Sequence, residues 1–169
     1  MGRGENLLWH IRPLTQDDAV AVAGFLLRHW GSQRMVVHGV VYYPATLPGF
    51  VAESAGEWVG LLTYHWAADR PDEWEVVTLD AVRPFQGIGT ALMQTLATTA
   101  RQLGGRRLWL VTTNDNLEAL RFYQRRGFTL VALRPHAVTL ARQLKPEIPL
   151  QGQYGIPLRD ELELEMWLG

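Results

Sequence analysis

The 169-residue sequence contains no cysteine. That absence excludes disulfide bonds, zinc–thiolate sites and a cysteine nucleophile, and it agrees with a cytoplasmic protein. The formal net charge of -1 does not provide the basic surface that nucleic-acid-binding domains carry. No apolar run approaches the ~20 residues of a membrane helix, and residues 1–6 lack a signal-peptide core. We therefore expect a cytoplasmic protein with no nucleic-acid partner and no membrane partner.

The length and composition are those of one ordinary globular unit. With 47% hydrophobic residues, the chain can bury one core, and no linker or repeat divides it. We therefore expect a single domain spanning residues 1–169. The five histidines show no metal-ligand spacing with one another, so we expect no metal site.

The most informative stretch runs from Glu75 to Ala100. It joins a short Val/Thr/Leu-rich run, a turn containing Gly87 and Gly89, and an alanine-rich segment with helical spacing. A helix that begins after a glycine turn leaves its first amides without partners, at the positive end of its dipole, and this suits a phosphate. A tight turn with no ligand explains the same pattern. The absence of Gly-Lys-Ser/Thr argues against a P-loop, and the glycine spacing is not that of a dinucleotide fold.

Two blocks in this region resemble the GNAT superfamily of N-acetyltransferases. The first, from Gln86 to Ala91, fits the acetyl-CoA signature Gln/Arg-x-x-Gly-x-Gly/Ala. The second, from Asn114 to Phe128, resembles the superfamily's Asn-x-x-Ala-x-x-x-Tyr-x-x-x-Gly-Phe helix. Two motifs in the right order are far more specific than either alone. The segment from Lys145 to Glu161 resembles that of a bacterial subgroup whose acceptor is unknown.

The resemblance implies an α/β fold with a mixed central sheet, splayed between its fourth and fifth strands and with helices on both faces. Hydrophobic periodicity and turn residues predict the following elements. The strands are Leu7–Arg12, Gly49–Ser54, Trp58–Trp66, Trp74–Val82, Leu108–Thr112, Phe128–Arg134 and Leu162–Met166, and the helices run from Thr15 to near Gly31, Thr90–Leu103, Asn116–Arg126 and Ala137–Leu144.

One segment, Ser32–Pro48, is hard to assign because glycine and prolines break its apolar runs. We interpret it as a loop over a cleft, either a substrate lid or a hydrophobic flap packed on the core. His38 and Tyr42 are its chemically interesting side chains.

The resemblance also assigns donor-binding roles. It places the pyrophosphate of acetyl-CoA on the first block, and it pairs the pantetheine arm with the end of the preceding strand. Asn116 would hydrogen-bond the pantetheine or its strand, although a helix N-cap explains it equally. Phe122 is either packing or an adenine-side contact. The donor-binding residues are thus Asp80, Ala81, Val82, Gln86, Gly87, Ile88, Gly89, Thr90, Ala91, Asn116, Phe122 and Tyr123.

The catalytic assignments are Tyr123 and Glu75. Tyr123 matches the superfamily position whose hydroxyl serves as general acid toward the leaving thiolate. The base is Glu75 or Asp80, acting directly or through water, and we favour Glu75 because Asp80 lies nearer the pantetheine. Strand alternation puts the two carboxylates on opposite faces unless a bulge intervenes. Either carboxylate can also be simply solvated.

The resemblance therefore predicts an enzyme that moves acetyl from acetyl-CoA to a primary amine of a small molecule or peptide, by direct attack in a ternary complex. The alternative is a CoA or acyl-CoA sensor without turnover. Arg125 and Arg126 can meet phosphates or simply end a helix. Glu161, Glu163 and Glu165 can attract a cationic amine, but we expect a solvated strand face. A homodimer through the last strands fits the superfamily.

Overall fold

The computed structural model describes residues 8–83 and 86–169, in nine strands and four α-helices. The strands are β1 (His10–Pro13), β2 (Met35–Val37), β3 (Val40–Tyr42), β4 (Gly49–Ser54), β5 (Glu57–His65), β6 (Glu73–Ala81), β7 (Arg107–Thr113), β8 (Thr129–Arg134) and β9 (Glu161–Trp167). The helices are α1 (Ala19–Trp30), α2 (Ile88–Gln102), α3 (Leu117–Gln124) and α4 (Ala137–Leu144). Leu7, predicted to open the first strand, lies outside the described residues.

Seven strands form one mixed sheet in the order β1-β4-β5-β6-β7-β9-β8, and β2 and β3 form a separate hairpin. Adjacent residues of β5 show that helices cover both faces. Leu62 belongs to the main core with Leu92 and Leu96 of α2, whereas Leu61 packs with Phe25 and Leu26 of α1. Because successive strand residues point to opposite faces, α1 and α2 lie on opposite sides of the sheet.

The predicted meander and crossover are present. The β4–β5 turn uses Ala55 and Gly56, both with positive φ (51° and 80°), as a two-residue hairpin turn of the primed type requires. The connection from β6 through α2 leads to β7, which pairs parallel to β6. None of the helices within residues 8–83 and 86–169 combines the length and apolar character needed to cross a membrane.

The sheet splays between β6 and β7, its fourth and fifth strands in spatial order. The two strands pair only from Glu73–Arg107 to Val76–Leu110, although β6 continues to Ala81 and β7 to Thr113. On its other edge, β7 stays paired with β9 along seven residues. The predicted splay is confirmed, and it opens a gap lined by backbone.

The prediction of a loop for Ser32–Pro48 is wrong, because residues 35–42 of this segment form the β2–β3 hairpin. Its turn consists of His38 and Gly39, with φ of 41° and 80°. Gly39, which we interpreted as a strand breaker, instead closes the turn between two β-branched runs. A non-glycine residue in this left-handed region is uncommon, and tertiary contacts of His38 hold it there.

Candidate active site

A cleft of about 500 Å³ passes through the sheet at the splay. Its walls come from β6 and β7, from α3 on one face, and from the end of α1 and the β2–β3 hairpin on the other. The cleft thus joins the two faces of the sheet, so that two ligands can meet inside it from opposite sides.

The edge of β6 offers free backbone groups to this cleft. Val82 N–H donates to Val59 O at 2.9 Å, so this pair is hydrogen-bonded toward β5. Hydrogen bonds alternate along an antiparallel strand, so the backbone amide of Asp80 also points to β5. The amides of Leu79 and Ala81 point the other way, to the side from which β7 has diverged. An extended ligand can pair there as a strand would. Of the residues Asp80–Val82, which we predicted to pair with the pantetheine arm, only Ala81 directs its backbone amide toward the cleft.

The predicted phosphate loop forms the N-terminus of α2. Gly87 is the N-cap in the left-handed region (φ 75°, ψ 4°), and the first helical bond runs from Ala91 N–H to Gly87 O at 2.9 Å. The amides of Ile88, Gly89 and Thr90 therefore lack acceptors within the helix. The Ile88 side chain anchors the turn because it is buried in the main core. Gln86 is exposed.

Gly89 and Phe122 meet at this helix end. A Cβ at Gly89 would lie 3.3 Å from two carbons of the Phe122 ring, so the glycine allows α3 to approach the loop. Arg126 stacks over the Phe122 ring, with its guanidinium carbon 3.7 Å from the ring centroid. It also donates to Thr90 Oγ1 from Nε at 2.9 Å and from Nη2 at 2.6 Å. Burial and the positive charge of the neighbouring Arg125 lower the pKa of Arg126. A bound anion would therefore stabilise the charged form of Arg126.

Three residues of the second motif line the cleft: Asn116, Ala119 and Tyr123. The Tyr123 side chain is buried, and burial and the charge of Asp80 raise its pKa, so the phenol keeps its proton at neutral pH. Asn116 caps α3 by accepting from Ala119 N–H at 3.1 Å. Asn114, at the start of the second motif, accepts from Arg159 and Asp160 N–H at 3.0 and 2.9 Å.

Asp80 faces the cleft on the α1 side of the sheet. Its Oδ2 accepts from Trp30 Nε1 at 2.7 Å. Burial raises the pKa of Asp80 to about 6, against the opposing effects of Trp30 and His29. The role of Trp30 was missed, because only the tertiary fold brings the end of α1 to β6.

A bulge puts Glu75 on the same face as Asp80. Tyr64 pairs with Val76 and Thr63 with Thr78, so Val77 is the extra residue in β6. Glu75 is buried and accepts from Tyr42 Oη at 2.7 Å, and its other oxygen lies 2.7 Å from His38 Nε2. Burial alone would lower the pKa of His38, but the hydrogen bond and charge of Glu75 raise it overall. The two hairpin side chains noted in the sequence thus converge on one carboxylate.

The prediction that the glutamates of the last strand form a solvated face is wrong. Glu161 and Glu163 are buried. One reason is that β9 lies inside the sheet, between β7 and β8, and another is that α4 and the β2–β3 hairpin flank the face that carries these glutamates. Arg107 donates to Glu163 at 2.7 Å and to Glu165 at 2.6 Å. Both Glu161 oxygens lie 3.1 Å from His38 N, and burial raises the pKa of Glu161.

Comparisons with known proteins agree with this geometry. Residues 41–128 match the model of the "Acetyltransferase (GNAT) family". The sequence is 40% identical to the uncharacterized protein YxbD of Bacillus subtilis (strain 168) over 92% of this chain and 96% of that protein. The fold is similar to that of an IAA acetyltransferase from Bacillus cereus ATCC 14579 (TM-score 0.69, 19% identity, 94% and 99% coverage). It is also similar to a GNAT family acetyltransferase from Elizabethkingia anophelis with acetyl-CoA bound (TM-score 0.63, 20% identity, 95% and 98% coverage).

Proposed function

Because the chain belongs to the GNAT family of acetyltransferases, we propose that it transfers an acetyl group from acetyl-CoA to a primary amine of a small molecule or peptide. The reaction would be a direct attack in a ternary complex. One observation carries the proposal: a single cleft joins Tyr123 on one face of the sheet to Asp80 on the other. Donor and acceptor can therefore meet between an acid and a base.

The donor half of the proposal depends on backbone and one cation. The free amides at the N-terminus of α2 and the Arg126 guanidinium suit the pyrophosphate of CoA. The pantetheine arm would pair with Leu79 and Ala81 along the open edge of β6. A backbone N–H there would polarise the thioester carbonyl, as oxyanion stabilisation requires.

The chemistry then needs two proton transfers. The ammonium loses a proton to a carboxylate, the neutral nitrogen bonds to the acetyl carbon, and the C–S bond breaks. Tyr123 gives its phenolic proton to the departing thiolate and recovers one from solvent or from the protonated base. A buried phenol beside Asp80 suits this role because its raised pKa keeps the proton available until a thiolate forms.

The geometry favours Asp80 over Glu75 as the base. Glu75 accepts from Tyr42 with one oxygen and meets the His38 ring with the other. Asp80 borders the cleft, and its pKa of about 6 leaves it mostly ionised at neutral pH yet basic enough to take a proton. Glu75 would then hold the hairpin over the acceptor side.

The test is calorimetric and thermal-shift titration with acetyl-CoA, CoA, ATP and NAD, followed by thiol release with a panel of amines. We expect only the CoA compounds to bind and stabilise the protein. Gly89→Glu should abolish the response, because it adds bulk against Phe122 and charge at the phosphate site. Gln94→Glu, which adds the same charge on the exposed face of α2, should not. Binding without turnover of any amine would favour the sensor alternative, and a response only to ATP or NAD would overturn the proposal.

A further inference from the structure

A second cavity of about 550 Å³ lies beside the cleft, between the turn of the β2–β3 hairpin and α4. We call it the side pocket. Glu161 lines both the side pocket and the cleft. A molecule in the side pocket can therefore have one end at the cleft.

Arg134 lines the side pocket and carries a hydrogen-bond donor that has no partner among the described residues. Its Nη2 donates to Glu163, but its Nη1 is buried and lacks a hydrogen-bond partner within residues 8–83 and 86–169. Buried polar atoms are almost always paired. A guanidinium nitrogen pairs best with a carboxylate or phosphate oxygen, so the site is suited to an anionic group.

Arg134 and Glu161 form a fixed pair of opposite charges. They are direct cross-strand partners of β8 and β9, which brings their side chains to one face about 5 Å apart at Cβ. The Glu161 carboxylate accepts only one backbone N–H, that of His38, from the described residues. It thus keeps capacity for an ammonium group, and a zwitterion matches the pair.

The remaining wall of the side pocket is largely apolar. Leu140 and Leu144 on α4 line it while leaving 60% and 47% of their surface exposed. Exposed leucines on one side of a short helix gain free energy when an apolar ligand covers them.

We propose that the side pocket holds the acceptor and that the acceptor is a free amino acid with an apolar side chain. Its carboxylate pairs with Arg134 Nη1, its ammonium lies at Glu161, and its side chain packs on Leu140 and Leu144. This assignment rests on the proposed acetyl transfer and names its acceptor class. The ammonium loses its proton to the base, an N–C bond replaces the C–S bond of acetyl-CoA, and the product is an N-acetyl amino acid.

The experiment measures thiol release from acetyl-CoA with leucine, leucinamide and 3-methylbutylamine. The three amines share the same side chain, but only leucine has a carboxylate. We expect kcat/KM for leucine to exceed that of the other two by about 10- to 100-fold, since a charge-assisted pair is lost. The deaminated acid 4-methylpentanoate should compete with leucine without being acetylated. Arg134→Gln should remove the preference while acetyl-CoA affinity stays unchanged.

A surface variant covers the case in which Arg134→Gln fails to fold. Leu140→Asp, at an exposed helical position, should weaken leucine binding to the CoA-loaded protein, measured by calorimetry. Val20→Asp, at another exposed helical position (85% exposed), should not. Equal rates for leucine and 3-methylbutylamine overturn this inference and leave the proposed acetyl transfer standing. Leucine that neither binds the CoA-loaded protein nor is acetylated overturns it as well. Failure of acetyl-CoA to bind would overturn the proposed function itself.

Discussion

The proposed donor and acceptor halves of the site are built in different ways. The proposed donor half comes mainly from two short stretches, Gln86–Ala91 and Asn116–Arg126, and it presents mainly backbone amides. The proposed acceptor half includes the side pocket, comes from α1, the β2–β3 hairpin, α4 and β9, and presents side chains. Its contacts span long distances in sequence: His38 N–H reaches Glu161 across 123 positions.

The difference follows from what each half has to bind. A nucleotide phosphate can be bound by helix geometry and a glycine turn, which are local properties of the chain. An acceptor is selected by charges and apolar surface, and these depend on which side chains the tertiary fold brings together. The first kind of site leaves a motif in the sequence, and the second does not.

The largest expected effect tests whether the chemistry belongs to the donor half. Tyr123→Phe should lower kcat for acetyl transfer by about 1000-fold with little change in the Kd for acetyl-CoA, because it removes only the proposed acid. Tyr64→Phe is the matched control, since Tyr64 is also buried and its pKa is also raised by burial. Equal losses in the two variants, or a weakened Kd in Tyr123→Phe, would return Tyr123 to a structural role.

The next effect concerns the base, on the acceptor face. If Asp80 must be ionised, kcat/KM should rise with pH through about 6 and level off above it. Asp80→Asn should lower the plateau by about 100-fold and remove this limb. Glu75→Gln should keep this limb, the rise of kcat/KM with pH near pH 6. A limb that survives in Asp80→Asn and disappears in Glu75→Gln would restore Glu75, the residue favoured from the sequence.

A smaller effect separates two neighbouring cations at the donor loop. Arg126→Glu should raise the Kd for acetyl-CoA by about tenfold at low salt, and less at high salt because the interaction is screened. Arg125→Glu carries the same charge change one residue away, and it should alter the Kd by less than about threefold. If both variants weaken binding equally, the contact between Arg126 and Thr90 is incidental and only the net charge of the helix end matters.

Much of the fold was predictable from the sequence. The β4–β5 hairpin, the β6–α2–β7 crossover and the bounds of α4 (Ala137–Leu144) follow from periodicity and turn residues, because these are local signals. The β2–β3 hairpin was missed although its two apolar runs were visible. Gly39 can break a strand or close a turn, and only the contacts of His38 decide between them.

The candidate site was predictable in part. The motifs indicated Tyr123 and the helix terminus, and a bulge was the stated condition for Glu75 and Asp80 to share a face. That bulge, at Val77, has no sequence signal of its own. The burial of Glu161 and Glu163 could not be foreseen, since alternation along β9 predicts a half-buried strand but not what covers its polar face.

The smallest expected effect tests whether the acceptor half is held together by the His38–Glu75 pair. Because the folded protein raises the pKa of His38 above its ordinary 6.5, protonated His38 stabilises the fold. The stabilisation should be full below pH ~6.5 and should be lost as pH rises through the raised folded value. The free energy of unfolding of wild type should therefore exceed that of His38→Gln by about 1 to 2 kcal/mol at low pH, and by less at pH ~8.5.

The control variant is His10→Gln, at an exposed histidine. Its difference from wild type in the free energy of unfolding should change much less with pH. A difference between wild type and His38→Gln that stays constant across this range in denaturant unfolding would mean that His38 remains neutral. The hairpin would then be held over the acceptor side by Tyr42 and the backbone contact to Glu161.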